Sequence, residues 1–343
     1  MIRTWPIPIV GEILSSYLAR SAISHGQGAH SFMALAAPGC PVWTRDVDVS
    51  AGHRLLAHVS TASGNSVERL SEMTLSQWAS CTARDGHLQG INHWINSIGV
   101  YHRRRRRHGL GYCPMCLSDN GCFLRRWRLS FWTVCPLHNV QLLDCCPHCS
   151  EPVHAHRQVF DVACCWKCSS SLAKVNASPA APTAAQALLT SALLGSRQCF
   201  EVYGFNCSGR DLLWGADGLL AAFGSSRQSE TTGESQRRAR LELRRSSLRH
   251  ADMELLSQLL QADVEEVRCR AVATGVTQKC FRQTVPPWLA SVISALPYGR
   301  SGQIAMKGAV VRRAASARNG RLDGWRSRRA ALMLTLIGQR DEY

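Results

Sequence analysis

The stretch YCPMCLSDNGCFLRRWRLSFWTVCPLHNVQLLDCCPHCSE, residues 112–151, places three Cys-Pro-x-Cys/His elements within about forty residues. Extended to residue 168, it yields two four-ligand sets. The first is Cys113-x2-Cys116, eighteen intervening residues, then Cys135-x2-His138; the second is Cys146-x2-Cys149, fifteen intervening residues, then Cys165-x2-Cys168. An x2 spacing lets a tight turn bring two side chains to one ion, and Pro114, Pro136 and Pro147 pre-set the turn after the leading cysteine. Two complete quartets in series are far more specific than one C-x2-C. The ligands can be paired sequentially or in an interleaved, cross-braced manner, and spacing alone leaves both open.

A catalytic zinc keeps an open coordination position, usually with an activated water and a nearby general base. Both quartets here are filled, and the deaminase pattern of H-x-E followed by P-C-x-x-C is missing from the chain. The expectation is two structural Zn2+ ions and no catalysis. Cys122, Cys145 and Cys164 are left over, because recruiting Cys145 or Cys164 would widen its pair to x3; His148 is expected at the surface.

The bulk numbers support an intracellular reading of these cysteines. Sixteen cysteines in a 343-residue chain without a signal-peptide core suggest a reducing compartment, where clustered Cys and His are metal ligands and not disulfides. No apolar run approaches the roughly 20 residues that span a bilayer. A cytoplasmic protein is expected, nucleoid-associated when bound, with no membrane partner. The net charge of +16 is uneven: residues 1–100 are neutral, whereas 101–175 and 176–343 are basic. Such a balance favours polyanionic partners.

Outside the cysteine region the apolar periodicity is helical. Ile13, Leu14, Tyr17 and Leu18 share a face of a first helix that stops at Gly26. Residues 50–75 read as helix, Gly64 turn, helix, a helix-turn-helix candidate that is also compatible with any helical hairpin. Residues 237–275 read as helical, with a second helix-turn-helix candidate broken at Ala262-Asp263 and Arg268 and Arg270 pointing from its second helix. The expected architecture is mainly α: a helical N-terminal domain (1–100), a tandem zinc-binding knuckle or ribbon module (101–175), a helix with linkers (176–236) and a basic helical C-terminal domain (237–343). Two basic clusters are candidate contacts for nucleic acid or an acidic partner. Arg103, Arg104, Arg105, Arg106 and Arg107 form either a phosphate-tracking arm or a solvated connector. Arg125, Arg126 and Arg128 alternate with Trp127, Leu129, Phe131 and Trp132, which either presents the arginines to a partner or leaves them merely solvated.

The motifs E-x-L-S-S-x-L-x-R (12–20), Y-C-P-x-C-L (112–117), W-R-L-x-F (127–131), C-P-x-H (135–138) and L-L-D-x-C-P-x-C (142–149) occur in order. Over roughly residues 6–170 the chain resembles the TniQ family of transposon target-selection proteins, related to TnsD. The resemblance implies a non-catalytic helical adaptor with a helix-turn-helix part and tandem zinc motifs. It carries the ligand role over to the eight residues named above. Where the family usually has Gly after the second C-P-x-C, this chain has Ser150, which bears on turn geometry. The implied partners are a Cascade-type CRISPR effector with guide RNA and target DNA, an AAA+ ATPase regulator of transposition, and a second copy of the chain. Direct reading of an attachment site, or action as a free-standing DNA-binding regulator, is the alternative.

Overall fold

The computed structural model describes residues 5–82, 92–98, 109–195, 197–224, 240–281 and 285–299. Among them the chain is mainly helical, with two short hairpins. In the N-terminal part, α1 (Leu14–Ser24), α2 (Ala29–Ala36), α3 (Val47–Ser50), α4 (His53–Ser63), α5 (Val67–Glu72) and α6 (Ser76–Thr82) follow one another closely. α7 (Pro114–Asn120) and the hairpin β1 (Val134–Cys135) with β2 (Val140–Gln141) form the middle. Beyond them come α8 (Ala184–Leu194), the hairpin β3 (Phe200–Val202) with β4 (Phe205–Cys207), α9 (Gly209–Gly224), α10 (Ser246–Gln261), α11 (Val264–Thr274) and α12 (Pro287–Ala295).

The helix boundaries follow from identifiable residues. Ser66 caps α5 by accepting the Arg69 N–H, and Gly64 ends α4 at φ +74°, where a side chain would strain the backbone. Asp263 and Glu266 form a reciprocal capping box at the start of α11, the break expected near Ala262-Asp263. Of the helical stretch expected over 237–275, residues 237–239 lie outside the described residues, and among the described residues its first α-helix begins at Ser246. Within residues 240–245 only a 3-10 turn at Leu241–Leu243 forms, followed by extended Arg244 and Arg245.

Two apolar clusters divide the described chain. Leu14, Tyr17, Leu18, Phe32, Val59 and Leu70 belong to an N-terminal cluster. A larger cluster runs from Ile13 and Ala19 through the cysteine region to Leu189, Leu219, Leu256 and Trp288. α1 stands between them, one face in each. Residues 92–98 pack on the larger cluster: the Trp94 indole donates to Leu213 O at 3.2 Å, and the Trp94 N–H donates to Glu242 Oε1 at 2.9 Å.

The joint between the clusters is polar, and motif residues supply one side of it. Ser15 donates its N–H and hydroxyl to the buried Asp48 carboxylate at 2.7 and 2.9 Å. Arg128, only 1% exposed, pairs with Asp48 at 2.8 Å and with Asp46, and donates from Nε and Nη2 to Asn96 O at 3.2 and 2.8 Å. Glu12, equally buried, accepts from Ser16 at 3.0 Å and from Arg20 at 2.8 Å, while the Ser16 hydroxyl accepts the Phe123 N–H. Burial pushes the Asp48 carboxyl up to about 6, although the Arg128 guanidinium opposes the shift. Thus the Glu, both Ser and the Arg of the opening motif, and the Arg of W-R-L-x-F, are used internally.

A second contact across the joint is aromatic. His156 stacks on Trp43 with ring centroids 5.2 Å apart, and His30 and His154 lie 5.9 and 5.7 Å from it. Burial, reinforced by His154, Arg157 and His30, pushes the His156 imidazole down from 6.5 to about 3. The unfolded chain therefore binds a proton below 6.5 that the folded chain refuses until about pH 3. Stability from this group is complete above 6.5 and is lost as pH falls through that window, at up to about 1.4 kcal/mol per pH unit. Urea unfolding at about pH 7.5 and about pH 5.5 should show this loss, and His156→Phe, which keeps the stack, should reduce the slope.

Candidate metal centres

The first centre is assembled by a helix start and a hairpin turn. Cys113 is the N-cap of α7, Pro114 its first residue, and Cys116 faces inward from its first turn. Across from them β1 ends at Cys135, and the chain turns through Pro136–Asn139 into β2. Asn139 takes φ +50°, and its N–H donates to Cys135 O at 2.8 Å, folding the x2 pair onto one point. Four ligand atoms, from Cys113, Cys116, Cys135 and His138, lie within 4.8 Å of one another. The His138 Nδ1 is 3.5, 3.3 and 3.6 Å from the three sulfurs, and the Cys116 and Cys135 sulfurs are 3.6 Å apart. A tetrahedral ion with metal–sulfur bonds near about 2.3 Å and a metal–nitrogen bond near about 2.0 Å has S···S edges of about 3.8 Å and S···N edges of about 3.5 Å. The donor set therefore fits such an ion.

The second centre uses two copies of one turn. Cys146–Ser150 and Cys165–Ser169 each return an N–H to the leading cysteine carbonyl, at 2.8 and 2.9 Å, and Ser150 and Ser169 both sit at φ +58°. Cys146 and Cys168 are 3.7 Å apart, Cys149 and Cys165 3.6 Å. The two quartets are spatially separate groups, so the pairing is sequential and not interleaved. Burial pushes the Cys116 thiol up to about 11 and the Cys149 thiol up to about 12, whereas hydrogen bonds, first from Cys113 and from Ser170, hold Cys135 down to about 4 and Cys168 down to about 6; a bound cation would favour the thiolate form at all of them. The segment leading into the first centre lies against the segment after the Cys146–Ser150 turn, closely enough that a Cβ at Gly109 would come within 2.1 Å of the Val153 backbone. Because a left-handed φ costs any side chain, Ser150→Gly is expected to stabilise the second centre by about 0.5–1 kcal/mol, read as a higher urea midpoint of the metal-loaded protein.

The remaining cysteines and His148 stand outside both sets. Cys122 is fully buried, and burial, with the Glu12 charge, pushes its thiol up to about 12, which makes it a small apolar core residue. His148 is exposed.

The basic candidates separate into different environments. Residues 103–107 lie outside the described residues. Arg125 rests over the Trp78 ring at 4.3 Å and donates to Glu72 O, while Arg126 lies 5.5 Å over Trp132. Both are half-buried. The expectation that Arg128 faces a partner fails: its guanidinium is the buried cation of the polar joint, neutralised by two carboxylates. Exposed Arg268 pairs with Glu265 at 2.7 Å, and Arg270 is 3.0 Å from Gln258 Oε1. The second helices of the two hairpins are not uniformly basic: α5 carries Glu68 and Glu72, and α11 opens with Glu265 and Glu266.

Ser15, Asp46 and Asp48 do not stand out in the sequence as partners of Arg128. Nor does a third polar group, in which ligand atoms of His93, Asp217 and Glu242 lie within 4.8 Å of one another. The cation there is Arg240, whose Nη2 is 3.2 Å from the His93 ring and whose Nε is 3.4 Å from Glu242, so the group reads as an ion network joining residues 92–98, α9 and residues 240–243.

The described chain is thus mainly helical, with two four-ligand groups that could each hold a metal ion and with its motif residues spent on internal bonds. Residues 3–142 match the TniQ family model, so the chain carries a TniQ domain in its N-terminal part. The matched segment includes the whole polar joint and the first centre, and ends before the second. The TniQ domain indicates a transposition-associated target-selection protein. Comparison with curated proteins gives no match. Among the described residues, no helix is long and apolar enough to cross a membrane.

Proposed function

We propose that this protein is a non-catalytic adaptor for DNA transposition, which links a Cascade-type guide-RNA surveillance complex to an AAA+ transposition regulator and works as a homodimer. The observation that carries this reading is the TniQ domain with its motif side chains turned inward. Glu12, Ser15, Arg20 and Arg128 build the body, and the ligand sets are closed, so what the fold offers to partners is its surface. Carboxylates on α5 and on the first turn of α11 suit protein contacts better than insertion into a DNA groove, where each would face phosphate. The metal is zinc: sulfur-rich tetrahedral sets with one or no imidazole select it among ordinary divalent ions.

Affinity capture from cells expressing the protein with its neighbouring genes tests the reading. Retention of a guide-RNA complex and an ATPase is expected, together with weak, salt-sensitive DNA binding by the purified protein. Tight retention of a single duplex by the isolated protein would instead make it a direct reader of an attachment site, and Arg268 and Arg270 the first residues to replace.

A further inference from the structure

The two centres differ in their surroundings. The second has four thiolates, and the Lys167 ammonium between Cys165 and Cys168 pairs with Glu151 at 2.8 Å beside it. The first has three thiolates and one neutral ligand, His138, whose ring must present an unprotonated Nδ1 to the sulfurs. Its outer nitrogen then carries the proton, and that nitrogen, Nε2, is 3.7 Å from Asp119 Oδ2. No other partner for Nε2 occurs among the described residues.

Asp119 is held in place by the same element that supplies a ligand. It lies three residues after Cys116 on α7, on the same face of the helix. The helix end is fixed around it: the Asn120 amide donates to Cys116 O at 2.8 Å, and Gly121 closes the helix at φ +61°. A carboxylate in the last turn opposes the helix dipole, and among the described residues Asp119 has no cationic side chain paired with it other than the imidazole. At 3.7 Å the contact with His138 is an ion-pair distance, longer than a direct hydrogen bond, and the Asp119 side chain is 65% exposed.

We propose that Asp119 is a positioning residue for the first metal centre: it fixes the His138 tautomer and ring orientation, and so slows loss of metal from that centre and not from the second. Carboxylate–histidine–metal relays of this kind typically change metal affinity by roughly 10–100-fold when the carboxylate is removed. The inference rests on the reading of both quartets as metal centres, so metal content is measured first.

The test uses the full chain loaded with Co2+, in which the three-thiolate and four-thiolate centres have separable visible spectra. Metal release to excess chelator is followed at each centre for the wild type, Asp119→Ala, Asp119→Asn and Asp119→Glu. The expected result is release from the three-thiolate centre at least about tenfold faster in Asp119→Ala, an intermediate rate in Asp119→Asn, near-normal release in Asp119→Glu, and unchanged release from the four-thiolate centre throughout. A rate at the three-thiolate centre within about twofold of wild type in Asp119→Ala overturns the proposal. So does equal acceleration at both centres, which would report general loosening. A wild-type protein that binds fewer than two ions overturns the reading of the centres themselves, and that outcome is distinguished by the initial metal count.

Discussion

Cys116→Ser is expected to abolish metal binding at the first centre and to unfold the surrounding body, leaving one metal equivalent per chain where the wild type has two. Cys113, Cys116 and Cys135 are not peripheral to the core; they are members of the apolar cluster that also contains Tyr112, Leu117, Phe123 and Trp127. Between α7 and β1 the only regular structure is a 3-10 turn at Arg125–Arg128, so backbone bonding gives this segment little independent stability. Structural zinc contributes on the order of 10 kcal/mol or more to segments of this kind, which exceeds the whole stability of many domains. Loss of near-UV dichroism and of cooperative unfolding should accompany the lost equivalent. Cys122→Ser is the control, since Cys122 is equally buried but belongs to neither set. It should keep two equivalents and lose about 1–3 kcal/mol. Unchanged cooperativity and two bound ions in Cys116→Ser would show that the first quartet is not a metal centre. In the wild type a chelator should strip the second centre first, because Cys168 is exposed and Cys149 half-buried, whereas all three cysteines of the first are buried.

What could be read from the sequence was whatever depends on short, fixed spacing. The eight ligand positions stand out because an x2 pair meets one ion only through a tight turn, and such turns are local. The α1 face, the Gly64 break and the Asp263 cap are likewise settled within a few residues. β1 and β2 were not legible, because two-residue strands carry no periodicity. β1 owes its edge to Gln186 of α8, whose amide accepts from the Thr133 and Val134 N–H groups at 3.0 Å and donates to Val134 O at 2.8 Å. A helix side chain completing a strand some fifty residues away leaves no local trace. The same holds for the C-terminal helices, which cap the metal body through buried polar bonds: Ser246 N–H to Asp144 at 2.7 Å and Arg249 to Ser130 O at 3.2 Å. Arg128 was misjudged for a related reason. An arginine in a run of arginines and tryptophans reads as surface, and only its carboxylate partners some eighty residues upstream show that it is core.

Arg128→Ala is the second substitution expected to have a large effect, about 3–5 kcal/mol of destabilisation, measured by urea unfolding of the metal-loaded protein. The loss does not come from the ion pair as such. Asp48 is completely buried and already pushed up towards neutrality by burial, so removing the guanidinium strands a charge that cannot reach water. Asn96 O loses two donors in the same change. Protonating or neutralising Asp48 should therefore recover much of the stability. Arg128→Met with Asp48→Asn is expected to be clearly more stable than Arg128→Ala alone, because buried pairs replaced on both sides often cost little. Arg126→Ala, which removes a half-buried cation lying over Trp132, should cost no more than about 1 kcal/mol. If Arg128→Ala proved as mild as Arg126→Ala, the polar joint would not be what holds α1 and α3 to the metal body, and the weight would fall on the His156–Trp43 stack. If the double variant restored stability but not capture of partners, the charged joint would be retained for the relative placement of the two clusters and not for folding.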